Sequence, residues 1–458
     1  MKDSNILATE STGKLLWTFS WPSIVAMACT ALYSIVDRIF VGRGVGSLAI
    51  AATTVAFPIM IISLALSLLI GVGATALISI RLGERRKEDA EVVAANAAGL
   101  LILLPLCLTL FYFAFPDSIL RLFGASPEVL PLARDFMDIV MLGSVFGSLG
   151  MGMNNFIRAE GNPVMAMSTQ VLGALINGIL NYIFIFKLGL GIKGSALATV
   201  LGQLFASGWV LSYYLTGRSL VKLRLKNFRP QVPVVLSIMA IGFAPFAMQL
   251  ASSLQQVILN KTVTSYSGDL ALSAVGILMS IITLLFMPIL GISQGAQPII
   301  GFNYGARRTD RVKDTLKKAI TAASCVSVTG YLIMMLWPAQ IAGLFSKGDT
   351  ALTNMTADAM VVYFGMTFII GFQIIGAHYF QAVGKARAAA VLSLSRQVLL
   401  FIPLLLILPR FWGIDGVWRT APIADGLSVL ITAIFVIREI RHLPAPQPSL
   451  IKEEPQRT

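Results

Sequence analysis

Of 458 residues, 56% are hydrophobic and only 12% are charged, with a mean hydropathy of +0.80, whereas a soluble domain carries about twice that charged fraction. The surplus of 35 Lys and Arg over 22 Asp and Glu gives a net charge of +13. In short loops beside anionic lipid such a surplus is a topology signal, and it does not argue for nucleic acid.

A helix needs about 20 apolar residues to cross a bilayer. Twelve such segments are predicted, approximately 15–41, 49–80, 92–115, 132–156, 165–186, 195–215, 234–263, 270–302, 319–337, 357–380, 388–408 and 417–437. Residues 1–13 are polar and the apolar run after them is too long for a cleaved leader, so no secretory signal is expected. Six segments precede a basic stretch and six follow it. The expected organisation is an N-terminal six-helix lobe (1–215), a cytoplasmic basic linker (216–233), a C-terminal six-helix lobe (234–437) and a disordered cytoplasmic tail (438–458).

With Met1 inside, cytoplasmic ends and loops hold 24 of the 35 basic residues, 10 lie opposite, and Arg396 falls within a span. The clusters are at 81–87, 218–229 and 307–318. Both termini are therefore expected on the cytoplasmic side of a bacterial inner membrane.

The two halves repeat. A shift of 222 lays Gly73 on Gly295, Ala74 on Ala296, Gly83 on Gly305, Arg85-Arg86 on Arg307-Arg308, Gly191 on Gly413 and Gly194 on Gly416. A shift of 223 lays Pro22 on Pro245, Ala159 on Ala382 and Gly161 on Gly384. A duplicated apolar half with six spans is the mark of a transporter built from two similar lobes related by an axis along the membrane normal.

An ionisable side chain at mid-span costs roughly 2.5–3.5 kcal/mol on insertion scales, so each one is a functional candidate. Asp37, His378, Arg396 and Asp425 are those candidates. Around Asp37, Tyr33 lies four residues before it, Asn177 and Asn181 are four apart in the fifth segment, and Thr199 and Gln203 are four apart in the sixth. That spacing puts each pair on one helix face. Three facing helices then supply a carboxylate, two amides and a hydroxyl, a set suited to a proton or a small hard cation. The alternative for the amides and hydroxyl is that they hold helices together. Under the repeat Asp37 falls on Asn260, and Asn177 and Asn181 fall on Leu400 and Leu404, so the ion site is expected in the first lobe alone.

The second lobe has a neutral polar line. Gln249, Gln256 and Asn260 share a stripe of the seventh segment, with Gln294, Gln297, Gln373 and Gln381 in the eighth and tenth and Met279 and Met287 nearby. Amides with flexible thioethers make an adaptable surface for varied ligands. Tyr33, Gln203, Gln249, Gln256, Asn260, Met279 and Gln373 are therefore the expected substrate contacts. Ordinary helix packing is the competing reading for any one of them. Arg396 and Asp425 are expected to form a structural charge pair. Cys29, Cys107 and Cys325 fall in predicted spans with no metal or disulfide spacing.

Several motifs resemble one family. They are Asp37-Arg38-Ile39-Phe40-Val41-Gly42 closing the first helix, Arg158-Ala159-Glu160-Gly161-Asn162-Pro163 after the fourth, Gly194-Ser195-Ala196 with Ala198-Thr199 opening the sixth, and the run 288–298 with Asn303-Tyr304-Gly305-Ala306. With six plus six spans they are similar to the multidrug and toxic-compound extrusion (MATE) family, and to its MepA-like bacterial branch, over residues 10–440. The resemblance implies an all-α membrane protein of two pseudo-symmetric lobes opening as a V, and cation-driven export of organic, often cationic compounds. It implies a coupling site at Asp37, Asn177, Asn181 and Thr199, and bending of the first helix at Pro22. Asn181 departs from the pattern, since relatives carry an aspartate there. Acids that other branches place in spans seven and ten are absent. H⁺ and Na⁺ both remain open as the coupling ion.

The expected function is a secondary antiporter exporting drugs or metabolites against H⁺ or Na⁺. A lipid-linked saccharide flippase is the alternative, but it needs cavity cations and only Arg396 lies well inside a span. An intramembrane hydrolase needs a nucleophile with a base or a metal; there is no His-Glu-x-x-His or Gly-x-Ser-x-Gly, and only two histidines, His378 and His442. No enzyme activity, cofactor or resident metal is expected. The expected partners are a small-molecule substrate and the lipid bilayer, around a monomer.

Overall fold

In lipid an apolar segment satisfies its own backbone only as a helix or in a closed barrel. The computed structural model describes residues 6–346 and 349–444, and all of its regular structure is helical. Among the described residues, eleven helices are long and apolar enough to cross a membrane, and a pair bent by 48° makes a twelfth crossing. The first to sixth spans are Thr12–Gly44, Leu48–Gly83, Lys87–Ala114, Leu130–Ala159, Pro163–Lys187 and Gly191–Leu215. The seventh to ninth are Val232–Gly268, Leu270–Gly305 and Thr309–Leu336. The tenth is Thr350–Tyr363 with Thr367–Ala382, followed by Ala386–Ile407 and Pro409–His442.

Three spans differ most from expectation. The ninth starts at Thr309, ten residues before the expected 319. The tenth begins earlier than 357 and is broken by Gly365 and a 3-10 turn over Thr367–Ile369. Glycine is a poor helix former. Beyond the break, Gly371 packs so closely on the ninth span that a Cβ would meet the Ala323 carbonyl. The twelfth span continues past 437 to His442, so the tail expected from residue 438 is helical at its start. Residues 445–458, where the rest of that tail was placed, lie outside the described residues.

The repeat is visible in the backbone. Left-handed φ occurs at Gly46 and Gly268, Arg85 and Arg307, Gly161 and Gly384, and Gly191 and Gly413, each pair 222 or 223 residues apart. At the end of the second span the Arg86 N–H donates to the Arg81 carbonyl and the Arg85 N–H to Leu82 (2.9 and 3.1 Å). The eighth ends alike, with Arg308 donating to Asn303 and Arg307 to Tyr304 (2.9 and 3.1 Å). This crossed pair of bonds caps a helix through a left-handed residue. The two Arg-Arg dipeptides thus mark one helix stop used twice.

The chain divides into two compact units, Met1–Glu10 with Val25–Phe246, and Ser11–Ile24 with Ala247–Thr458. The divisions inside the first and seventh spans come just past Pro22 and Pro245. Within the first unit, a Cβ on Gly73 of the second span would strike the Ile238 carbonyl, and one on Gly242 would strike that of Leu69. Within the second unit, Gly291 and Gly295 of the eighth span lie as closely against Ile24 and Ser20. Gly73 and Gly295, equivalent in the repeat, are glycines because a helix crosses there without room for a side chain. Polar anchors tie the starts of the seventh and first helices to the third and ninth spans. Asn96 Oδ1 accepts from the Gln231 N–H at 2.8 Å. Its repeat equivalent Lys318 donates to Thr12 Oγ1 at 2.8 Å and to Asp314 at 2.7 Å, and the Thr12 hydroxyl also donates to Asp314.

The basic linker is fixed to the first unit by buried acceptors. Glu160 accepts from Ser219 Oγ and from the Leu220 N–H, each at 2.8 Å. Glu91 pairs with Arg224 Nε at 2.9 Å, and the Asn227 carbonyl accepts from Asn96 at 3.0 Å. Burial pushes the Glu160 carboxyl up to about 7, against the opposing pull of the Ser219 and Leu220 hydrogen bonds. The docked linker therefore binds the Glu160 proton more tightly than an undocked one. Docking is strongest below the ordinary value of 4.5, weakens as pH rises to about 7, and levels off above it. Amide exchange at Leu220 and Val221, corrected for intrinsic rate, should lose up to about two orders of magnitude of protection across that window, and Glu160→Gln should flatten the profile. Protection that rises with pH would contradict this account.

Candidate cation-coupling site

Asp37 sits about two turns before the Gly44 end of the first span, and packing on both sides fixes it there. Val41, one turn on, is buried in a core with Ile185, Ile192 and Ala196. Phe40 meets Phe186 edge-on at 5.6 Å and Tyr182 at 6.5 Å. At Gly44 a Cβ would collide with Ile185, so the first and fifth spans touch closely just beyond the carboxylate. Ile183–Lys187 is a π-helical turn, a register shift that often accompanies functional sites. It directly follows Asn181 and Tyr182. At the other end of the fifth span Asn162 caps the helix, accepting from the Met165 N–H at 3.1 Å, with Pro163 at its first turn.

The polar side chains form one chain of hydrogen bonds inside the first unit. Asn181 Nδ2 donates to Asp37 Oδ1 at 2.6 Å and to Asn177 Oδ1 at 3.0 Å. Asn177 Nδ2 donates to Thr199 Oγ1 at 3.4 Å. Ser195 Oγ donates to Asp37 Oδ1 at 3.3 Å. Tyr33, one turn before Asp37, interacts with both Asp37 and Thr199. Asn177, Asn181, Ser195 and Thr199 are all buried. The structure thus brings Asp37, Asn177, Asn181, Thr199 and Tyr33 together and adds Ser195. Ser195 lies four residues before Thr199 on the same helix face, a spacing that could have found it.

Both amide protons of Asn181 are committed to acceptors, so its orientation is fixed and its carbonyl faces away from them. That carbonyl oxygen is buried and has no hydrogen-bond donor among the described residues. An unmet buried acceptor costs about 1–3 kcal/mol. A proton carrier or a small cation beside the Asp37 carboxylate would meet it. Asp37 Oδ1, Asn181 Oδ1 and Thr199 Oγ1 are the oxygens the group offers such an ion.

The expected substrate residues are placed less tightly. Gln203, one turn past Thr199, packs against Gly147 of the fourth span, and its Oε1 is buried without a donor among the described residues. In the second unit Gln256 donates to Asn260 Oδ1 at 2.8 Å, so the expected stripe is partly self-paired. Gln249 lies in the same span. Gln373 is buried in the tenth, and Met279 is partly buried against the core of the second unit. No hydrogen bond among the described residues joins Gln249, Gln256, Met279 and Gln373 into one cluster.

The MatE family model matches this chain twice, over residues 22–183 and again over 245–407, and the chain belongs to the MatE family. Each match begins at one of the equivalent prolines, Pro22 and Pro245. The chain is 26% identical over 438 residues to the multidrug export protein MepA of Staphylococcus aureus (strain N315), covering 95% of this chain and 96% of that one. It is also similar to crystal structures of MATE in the bent conformation (TM-score 0.91, 97% of this chain and 98% of that one) and in the straight conformation (0.90, 97% and 99%), both at 25% identity.

The other mid-span charges pair as expected. Arg396 Nε donates to Asp425 Oδ1 at 2.6 Å, and its guanidinium lies over the Phe286 ring at 5.4 Å. Asp425 is buried, so removing its partner leaves an uncompensated charge, which costs about 3–5 kcal/mol, whereas an apolar pair in its place is close to neutral. Arg396→Leu should therefore lower the melting temperature of the detergent-solubilised protein markedly. Arg396→Leu with Asp425→Leu should recover most of the loss. A double variant no more stable than the single would show that the two side chains do not act as a pair.

Proposed function

We propose that the protein is a secondary antiporter of the bacterial cytoplasmic membrane, exporting organic, amphipathic and predominantly cationic compounds in exchange for H⁺ or Na⁺ taken at the Asp37 group. The observation that carries this reading is the hydrogen-bonded chain Asp37–Asn181–Asn177–Thr199, a half-buried carboxylate beside a buried carbonyl that has no donor among the described residues. The export protein among its relatives supports the direction of transport. The cytoplasmic placement of both termini rests on the 24 of 35 basic residues on that side.

Asp37 is the one acid of the group, so its charge changes by one at most and one coupling cation per turnover is expected. Loading it changes the relative free energy of the states that expose the site, which is the requirement for coupling. Pro22 lacks the N–H that would bond the Thr18 carbonyl, leaving a weak point in the first helix. It is the proposed site of bending, in line with the bent and straight conformations of its structural relatives. Tyr33, Gln203, Gln249, Gln256, Asn260, Met279 and Gln373 are the proposed substrate contacts. Arg396, the mid-span cation a saccharide flippase would need, is already held by Asp425, which disfavours that alternative.

Asp37→Asn should stop gradient-driven export while the protein still folds and inserts. Asn181→Asp puts a second carboxylate beside Asp37, and the two cannot both stay charged without a cation between them. It should raise Na⁺ affinity or shift the pH dependence of transport, whereas Asn181→Leu should impair coupling. The measurement is initial efflux rate against pH and Na⁺. Normal export by Asp37→Asn, or superimposable curves for the Asn181 variants, would move the ion site elsewhere.

A further inference from the structure

Where the eleventh span begins and the twelfth ends, the second unit has a groove of about 410 Å³, within the range of about 300–1,000 Å³ typical of ligand pockets. Its floor is aromatic, formed by Phe380 and Phe435 packed edge-on at 6.2 Å. Its rim carries Lys385, Arg438 and Glu439. Lys385 is held by both Glu439 oxygens, at 2.6 and 2.7 Å, and those two charges cancel. The exposed Arg438 guanidinium has no hydrogen bond or ion pair among the described residues, which leaves one uncompensated positive charge at the groove.

An apolar track leaves the groove along the twelfth span. Leu427, Leu430, Ile434 and Ile437 are all exposed, and spacings of three, four and three put them on one helix face. Ile434 belongs to both the track and the groove wall. A single cation at a helix end, above an apolar groove that continues down the spanning face, matches the head and chain of one molecule class.

We propose that this groove is a binding site for an anionic phospholipid. The phosphodiester would sit on Arg438 beside Lys385, the glycerol backbone on the Phe380–Phe435 floor, and one acyl chain along the stripe from Ile437 to Leu427. The site lies apart in sequence and unit from the Asp37 group, so it stands independently of the antiport reading.

The test is native mass spectrometry of the full-length protein in detergent, titrated with dioleoylphosphatidylglycerol, dioleoylphosphatidylcholine or glycerol 3-phosphate. The wild type should hold one phosphatidylglycerol more firmly than phosphatidylcholine. Arg438→Gln should weaken that one about fivefold, the loss expected for one surface cation against an anionic headgroup, and leave phosphatidylcholine unchanged. Arg218→Gln, which removes an exposed cation from the linker, should behave like the wild type. The proposal is overturned if Arg438→Gln retains phosphatidylglycerol like the wild type. It is equally overturned if Arg218→Gln loses as much, or if glycerol 3-phosphate binds as well as the lipid.

Discussion

A carboxylate inside the apolar layer must be met by hydrogen-bond donors or by a cation, because no solvent is there to do it. This constraint organises the first unit around Asp37. Asn181 and Ser195 donate to one oxygen of the carboxylate, and Asn181 is in turn committed to Asn177, which is committed to Thr199. Every donor of Asn181 is thereby used, and its carbonyl is left over. That carbonyl oxygen is the buried acceptor of the group with no donor among the described residues.

The second unit meets the same constraint with a different answer. Its mid-span acid, Asp425, has a permanent counter-ion in Arg396, itself laid on Phe286. A tethered guanidinium cannot leave, so this carboxylate has no reason to exchange a cation. The two units share helix order, helix stops and the glycines at helix crossings.

The spans were legible because the bilayer makes apolar length nearly sufficient as a signal. The Asp37 group was legible because mid-span polar residues are few and four-residue spacing assigns them to faces. Ser195 escaped because a small hydroxyl at a helix start reads as an ordinary opening residue. The π turn over Ile183–Lys187, whose Ile185 lies close against Gly44, has no residue signature. The bend at Gly365 lacked the proline that usually announces one. Division of the first and seventh helices between units is non-local: periodicity says that a helix exists and which face is apolar, and is silent on which neighbours it packs against. No sequence pattern marks Glu91 and Glu160 as buried, and the structure shows both buried against the linker.

As proposed, ion entry at the Asp37 group and export of the organic cation are one coupled process. The most direct measurement is uptake of a fluorescent organic cation into everted vesicles, with pH and Na⁺ gradients imposed separately and the membrane potential clamped. The account predicts that one of the two gradients alone drives accumulation and that collapsing it releases the cation. Accumulation that persists with both gradients collapsed, or that appears with neither, would contradict it.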